Sequence, residues 1–243
     1  MFKTPLRRCA PFALILACLT CLALASLAQA GGFEDANDAV LAQKAGKFDD
    51  ALKLYSRALD SGDLDASATI KTFTLNNRGM LYAAKGEHDK AIKDFSAALA
   101  MDQTLEAGYC NRGASYMERG DLDRALADFT KAIELKSNYA TAYRNRGNVW
   151  RIKLKFAKAA QDYSKAIEFD PEDEETYYSR GVALLNQGEF DKAIADFNKA
   201  ITMDPEMREA YLHRGEAWMK KGDETKGQKD FEKARNMKGT SKK

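Results

Sequence analysis

Asn77-Arg78-Gly79 returns as Asn111-Arg112-Gly113 and again as Asn145-Arg146-Gly147, each copy 34 residues after the last. At the same step the chain reads Ser179-Arg180-Gly181 and then His213-Arg214-Gly215. Five occurrences at one fixed period describe a stack of copies of a single unit, not a globule with one closed core. Such a stack offers a long surface for binding and no evident pocket for chemistry.

Counting each repeat so that the Arg-Gly pair falls at positions seven and eight, repeats begin at Thr72, Glu106, Ala140, Glu174 and Arg208. Position twenty is Ala91, Ala125, Ala159 and Ala193, and position twenty-seven is Ala98, Ala132, Ala166, Ala200 and Ala234. Position twenty-four is always aromatic: Phe95, Phe129, Tyr163, Phe197, Phe231. Small residues at eight, twenty and twenty-seven let two helices cross closely, and the aromatic fills the space that remains. Gly86, Gly120, Gly188 and Gly222 at position fifteen suit a left-handed cap on the first helix. Asp170-Pro171 and Asp204-Pro205 end the second helix, because proline disfavours helix in the residue before it. The expectation is therefore all-α: a helical hairpin whose half-core must be covered by its neighbour.

This pattern of period, Gly, Ala, aromatic, Ala and Pro resembles the tetratricopeptide repeat, over nearly all the chain after residue 30. The resemblance implies a right-handed superhelical solenoid of about six such units, whose first helices line a concave groove that binds peptides or proteins. Repeats are expected at 72–105, 106–139, 140–173, 174–207 and 208–238, the last a cap followed by a tail at 239–243. Gln228, Arg235 and Glu224 make the outward face of that last repeat polar, as a cap requires. A divergent first repeat at 31–65 is read from Gly46, Phe48, Ala51, Tyr55 and Ala58. An insertion at 66–71 then forms either an extended loop or an early start to the next helix.

Residues 1–30 are a different material. Lys3, Arg7 and Arg8 precede an uncharged run from Ala10 to Ala28, and Ala28-Gln29-Ala30 supplies small residues for cleavage. This is the pattern of a secretory signal peptide, with an uncleaved inner-membrane anchor as the alternative. Either way the remainder is expected outside the cytoplasm, in a bacterial periplasm. Removing the three leader cations from 38 Lys+Arg leaves 35 against 36 Asp+Glu, a net charge near −1. Without a basic excess, general nucleic-acid binding is not expected. Cys9, Cys18 and Cys21 lie in the leader, so after cleavage Cys110 is expected to be a small half-buried helix residue with no intrachain disulfide in the mature protein. The other reading of that residue is a crosslink between two chains.

Arg at position seven travels with Asp at twenty-three: Arg78 with Asp94, Arg112 with Asp128, Arg146 with Asp162, Arg180 with Asp196, Arg214 with Asp230. The first repeat lacks both, having Asp38 and Leu54. Pairing inside each repeat explains this; pairing to the next repeat would strand Asp230.

The resemblance implies that positions two, five, six, nine, twelve and thirteen face the groove. Asn77, Asn111 and Asn145 then form a row of amides that suit either a peptide backbone or a neighbouring helix. Arg144, Asn145, Asn148 and Arg151 share one stripe of a helix, two forked cations and two amides suited to a carboxylate or acidic segment. Lys153, Lys155 and Lys158 read as a solvated basic turn beyond it. Tyr178, Val182, Leu185, Leu212 and Met219 supply an apolar floor. The related clamp for chaperone C-termini is not expected, since Glu209 and His213 stand where Asn and basic residues would be needed. No metal or cofactor is expected, and no enzyme: His88 and His213 lack partners at ligand spacing, and there is no phosphate loop or nucleophile elbow. The expected function is a non-enzymatic protein- or peptide-binding scaffold in the cell envelope. The alternative is a self-assembling or membrane-tethered structural protein.

Overall fold

The computed structural model describes residues 31–237. The leader, with its expected cleavage site at Ala28-Gln29-Ala30, and the Lys-rich tail lie outside the described residues. The described residues form twelve helices and one short 3-10 turn, with no strand. They are α1 (Gly31–Lys44), α2 (Phe48–Asp60), α3 (Ala68–Ala84), α4 (His88–Met101), α5 (Glu106–Glu118) and α6 (Leu122–Leu135). There follow α7 (Ala140–Ile152), α8 (Phe156–Phe169), α9 (Glu174–Asn186), α10 (Phe190–Met203), α11 (Arg208–Lys221) and α12 (Glu224–Asn236). Consecutive helices pack as antiparallel hairpins, α1 on α2 through to α11 on α12. The residues group into two compact bodies that divide between Lys136 and Ser137, the first holding α1–α6 and the second α7–α12.

Five of the six hairpins close by one recurring contact. A Cβ added to Gly79, Gly147, Gly181 or Gly215 would meet the aromatic ring at position twenty-four of the same repeat at 2.7–2.8 Å. At Gly113 the same atom would stand 3.0 Å from the Phe129 ring. Glycine is required here by close approach, and the rings of Tyr55, Phe95, Phe129, Tyr163 and Phe197 are buried. In the last repeat, position twenty departs from Ala for the same kind of reason: a Cβ on Gly227 would lie 2.6 Å from Met219 Sδ.

The first helix of most hairpins ends on a glycine in the left-handed region, with φ of +75° at Gly46 and +78° at Gly86, for example. The repeat beginning at Ala140 has Leu154 at this position, with φ of 57°. For a side chain bearing a Cβ that conformation costs on the order of 1–2 kcal/mol.

At the insertion, residues 63–66 form the 3-10 turn and α3 begins at Ala68. The Ser67 side chain caps α3 by accepting from the backbone N–H of Ile70. Of the two expectations for 66–71, the early helix start is the one observed. Cys110 departs from expectation in being fully buried instead of half-buried, and in the full-length chain it is disulfide-bonded. Its burial follows from position five facing inward, as Asn76, Arg144 and Tyr178 also show. The other three cysteines lie outside the described residues.

Candidate functional site

Five intra-repeat ion pairs set the frame. Each arginine at position seven forks onto its aspartate: Arg78 meets Asp94 at 2.7 and 2.8 Å, and Arg146 meets Asp162 at 2.8 and 2.8 Å. Arg112, Arg180 and Arg214 do the same with Asp128, Asp196 and Asp230. A further nitrogen reaches back to position twenty-five of the preceding repeat. Arg78 donates to Ser56 Oγ at 3.2 Å, Arg112 to Ser96 Oγ and Arg180 to Ser164 Oγ at 3.1 Å, and Arg214 to Asn198 Oδ1 at 2.7 Å. The arginine row is thus occupied internally.

In the C-terminal body the repeat 140–173 departs from this regularity and gathers polar groups inside. Arg144 is 2% exposed, and its Nε stands 3.4 Å from Asp173 Oδ2. The Thr176 hydroxyl donates to the same Oδ2 at 2.7 Å. Nearby, the Tyr163 hydroxyl donates to Asn148 Oδ1 at 2.7 Å, and both groups are buried. Burial pushes this phenol up to about 12, against the lowering influence of Arg151, Ser179 and Arg144. Asn145 is completely buried, whereas Arg151 is only half-buried. The stripe read from the sequence therefore has an inner and an outer part. Arg144, Asn145 and Asn148 belong to the interior, and Arg151 is the stripe's accessible cation.

Two residues that the sequence reading missed complete this cluster. Asp173 closes the repeat at position thirty-four, where the others have Leu105, Tyr139 and Met207. An acid replacing an apolar residue in the one repeat with Arg at position five was the available signal. Tyr163 carried a second: the position-twenty-four aromatic has a hydroxyl only where position twelve is polar, Tyr55 with Gln43 and Tyr163 with Arg151. Where that aromatic is Phe, position twelve is Ala83, Met117, Leu185 or Met219. In the N-terminal body Tyr55 indeed donates to Gln43 Oε1 at 2.8 Å.

Glu175 stands at the edge of the cluster. Burial holds its carboxyl above the usual range, Asp173 and Glu174 add to that, and Arg144 and Arg151 oppose it. A carboxyl whose folded pKa is raised contributes stability below its unfolded value, and this is lost as pH rises through the folded value. Glu175→Gln should therefore melt higher than the parent at about pH 7 and converge with it near about pH 4. Thermal melts at the two pH values check this; an unchanged or lower midpoint at neutral pH would refute it.

The remaining predicted residues are placed as follows. Asn111 is buried and donates to Asn76 Oδ1 at 3.3 Å, so the amide contact runs from position six to position five of the preceding repeat. Asn77 is half-buried beside the Tyr55 hydroxyl. Both lie in the N-terminal body. In the C-terminal body Tyr178 and Leu185 are buried, with Val182 packed against their cluster. Leu212 and Met219 are half-buried, and Met219 turns toward Gly227. His213 Nδ1 lies 3.3 Å from the Tyr178 hydroxyl and 3.0 Å from the Glu209 carbonyl, a packed position between Tyr178 and Phe197. Among the described residues no three His, Cys, Asp or Glu side chains gather as a metal site. None of the described helices is long and apolar enough to cross a membrane.

Repeated hairpins closed by a Gly–aromatic contact define a helical-hairpin repeat protein. The family model for the tetratricopeptide repeat matches residues 73–105, 107–139 and 174–207, and a second model of that repeat matches 155–188. The chain carries tetratricopeptide repeats, and this fold suggests protein–protein interaction. No curated protein matches the chain. Among solved structures, that of MamA is 27% identical over 68% of this chain and 90% of its own, with a TM-score of 0.63. YrrB, described as a TPR protein with an unusual peptide-binding site, is 21% identical over 77% of this chain and 93% of its own, at 0.64. A tetratricopeptide repeat protein from Parabacteroides merdae is 19% identical over 85% of this chain and 80% of its own, at 0.70. The last two bear on the fold alone.

Proposed function

We propose that the chain is an exported, non-enzymatic scaffold that captures a protein or peptide segment in the C-terminal body, with Arg151 receiving an acidic or carboxylate group. The observation that carries this reading is the division of the polar stripe. Arg144 is matched by Asp173, while Arg151 remains half-exposed beside the Tyr163 hydroxyl. A forked guanidinium held against a buried polar network is well placed to take a carboxylate in bidentate fashion. Val182 and Leu212, half-buried on α9 and α11, supply apolar surface on the following helices. Export rests on the basic and apolar leader with its Ala28-Gln29-Ala30 site. A second copy of the chain is the other occupant to consider, because Leu41 and Phe48 of the first hairpin are exposed at 53% and 46%.

The test uses tagged full-length chain recovered from the cell envelope. Its intact mass should correspond to a start at Gly31. Arg151→Glu should lose the captured partner while keeping the parent's helicity. Arg144→Glu is unsuitable as a probe, since it sets a buried acid against Asp173. Capture unchanged by Arg151→Glu would remove the site. Capture only of further copies of the chain would favour self-assembly.

A further inference from the structure

The turn between α7 and α8 combines departures that no other hairpin shows together. Position fifteen carries Leu154 at positive φ where every other repeat has glycine. Position sixteen carries Lys155, as the first repeat carries Lys47, where Glu87, Asp121, Glu189 and Asp223 precede the other second helices. Asp121 and Asp223 accept from the first turn's backbone N–H groups, whereas Lys155 makes no side-chain cap and puts a cation at the positive end of α8. The first turn of α8 also has no acidic residue, unlike α4, α6, α10 and α12. Position thirteen carries Ile152, 48% exposed, and Leu154 at the apex is 70% exposed.

Each departure works against folding, and together they produce an apolar tip with a basic rim. Departures from local consistency that bring no gain in packing point to function. Lys155 and Lys158 are exposed, and Lys158 Nζ lies 4.5 Å above the Trp150 ring, beside the tip. Phe48, the comparable exposed apolar residue of the first hairpin, also follows a lysine, Lys47, but Asp49 and Asp50 come directly after it and offset that charge.

We infer that the α7–α8 turn is a docking point for an anionic lipid surface, with Leu154 and Ile152 entering the headgroup layer and Lys155 and Lys158 meeting lipid phosphates. A protruding apolar apex suits a deformable interface. Lysine stems lie along apolar surface while their ammonium groups reach the headgroups, and tryptophan favours the same depth. The contact is a peripheral one, as a single short insertion binds reversibly.

Sedimentation with vesicles tests this, using the chain from Gly31 onward, which holds every helix and interhelical contact named above and excludes the apolar leader. The protein should pellet with phosphatidylcholine vesicles containing phosphatidylglycerol and stay in solution with phosphatidylcholine alone. Leu154→Gly with Ile152→Asn should weaken that binding on the order of tenfold. Leu154→Gly alone should at the same time raise the melting midpoint by relieving the positive φ, so lost binding will not mean lost fold. Lys155→Glu with Lys158→Glu should abolish the preference for anionic vesicles. Failure of the parent to bind mixed vesicles overturns the inference, as does undiminished binding by either double variant. So does a parent that ignores vesicles and binds polyglutamate, which would give the turn to an acidic protein.

Discussion

Arg146→Leu is expected to lower the melting midpoint more than the double change Arg146→Leu/Asp162→Leu. Asp162 is 6% exposed and receives two nitrogens of Arg146 at 2.8 Å. Removing the cation alone leaves a carboxylate that has lost water and its partner, a loss of about 3–5 kcal/mol in comparable sites. Removing both groups exchanges an ion pair of small net value for apolar side chains, which is often near neutral. Burial opposes the arginine's charge and the hydrogen bond to Asp162 outweighs it, raising the guanidinium further above its ordinary range. Thermal unfolding of parent, single and double variants decides the matter. A double variant clearly less stable than the single would mean that the pair is a net stabiliser in its own right.

Phe197→Ala should be as damaging, and by a different route. The ring is fully buried, packs near Tyr178 and His213, and lies against Gly181. Truncation opens a cavity between α9 and α10, and buried Phe→Ala changes cost about 3–5 kcal/mol. The converse change, Gly181→Ala, puts a Cβ 2.7 Å from the ring and should cost about 1–3 kcal/mol through overpacking. Because the two defects are complementary, Gly181→Ala should be partly rescued by Phe197→Leu. Melts of the single and paired variants measure this; strictly additive losses would show that Gly181 and Phe197 are not energetically coupled.

The hairpins were legible in the sequence because every copy repeats the same steric requirement. Gly181 and Phe197 recur 34 residues apart from their counterparts, so periodicity amplified what one contact alone would not reveal. The Arg–Asp pairs were legible for a related reason, since the first repeat lacks both members at once. The stripe on α7 was harder. A helical wheel places Arg144 and Arg151 on one face, but in this repeat position five is buried and position twelve only half-buried, and burial depends on the helices to either side. Asp173 escaped notice because it lies outside the helix it serves. Asn76 was overlooked in favour of Asn77, although it is position five that meets Asn111.

The backward reach of the arginines has a consequence for how such a chain changes in length. Ser56, Ser96, Ser164 and Asn198 offer equivalent acceptors at four seams, and each Arg–Asp pair is carried whole within its own segment. A segment of 34 residues can therefore be copied or excised, and each new neighbour presents the guanidinium with an acceptor of the same kind. Arg144 and Asp173 likewise sit at the two ends of one segment, so that this buried pair would be inherited intact. The generic seam lets the array lengthen, while the singular features of 140–173 travel as cargo on a standard coupling.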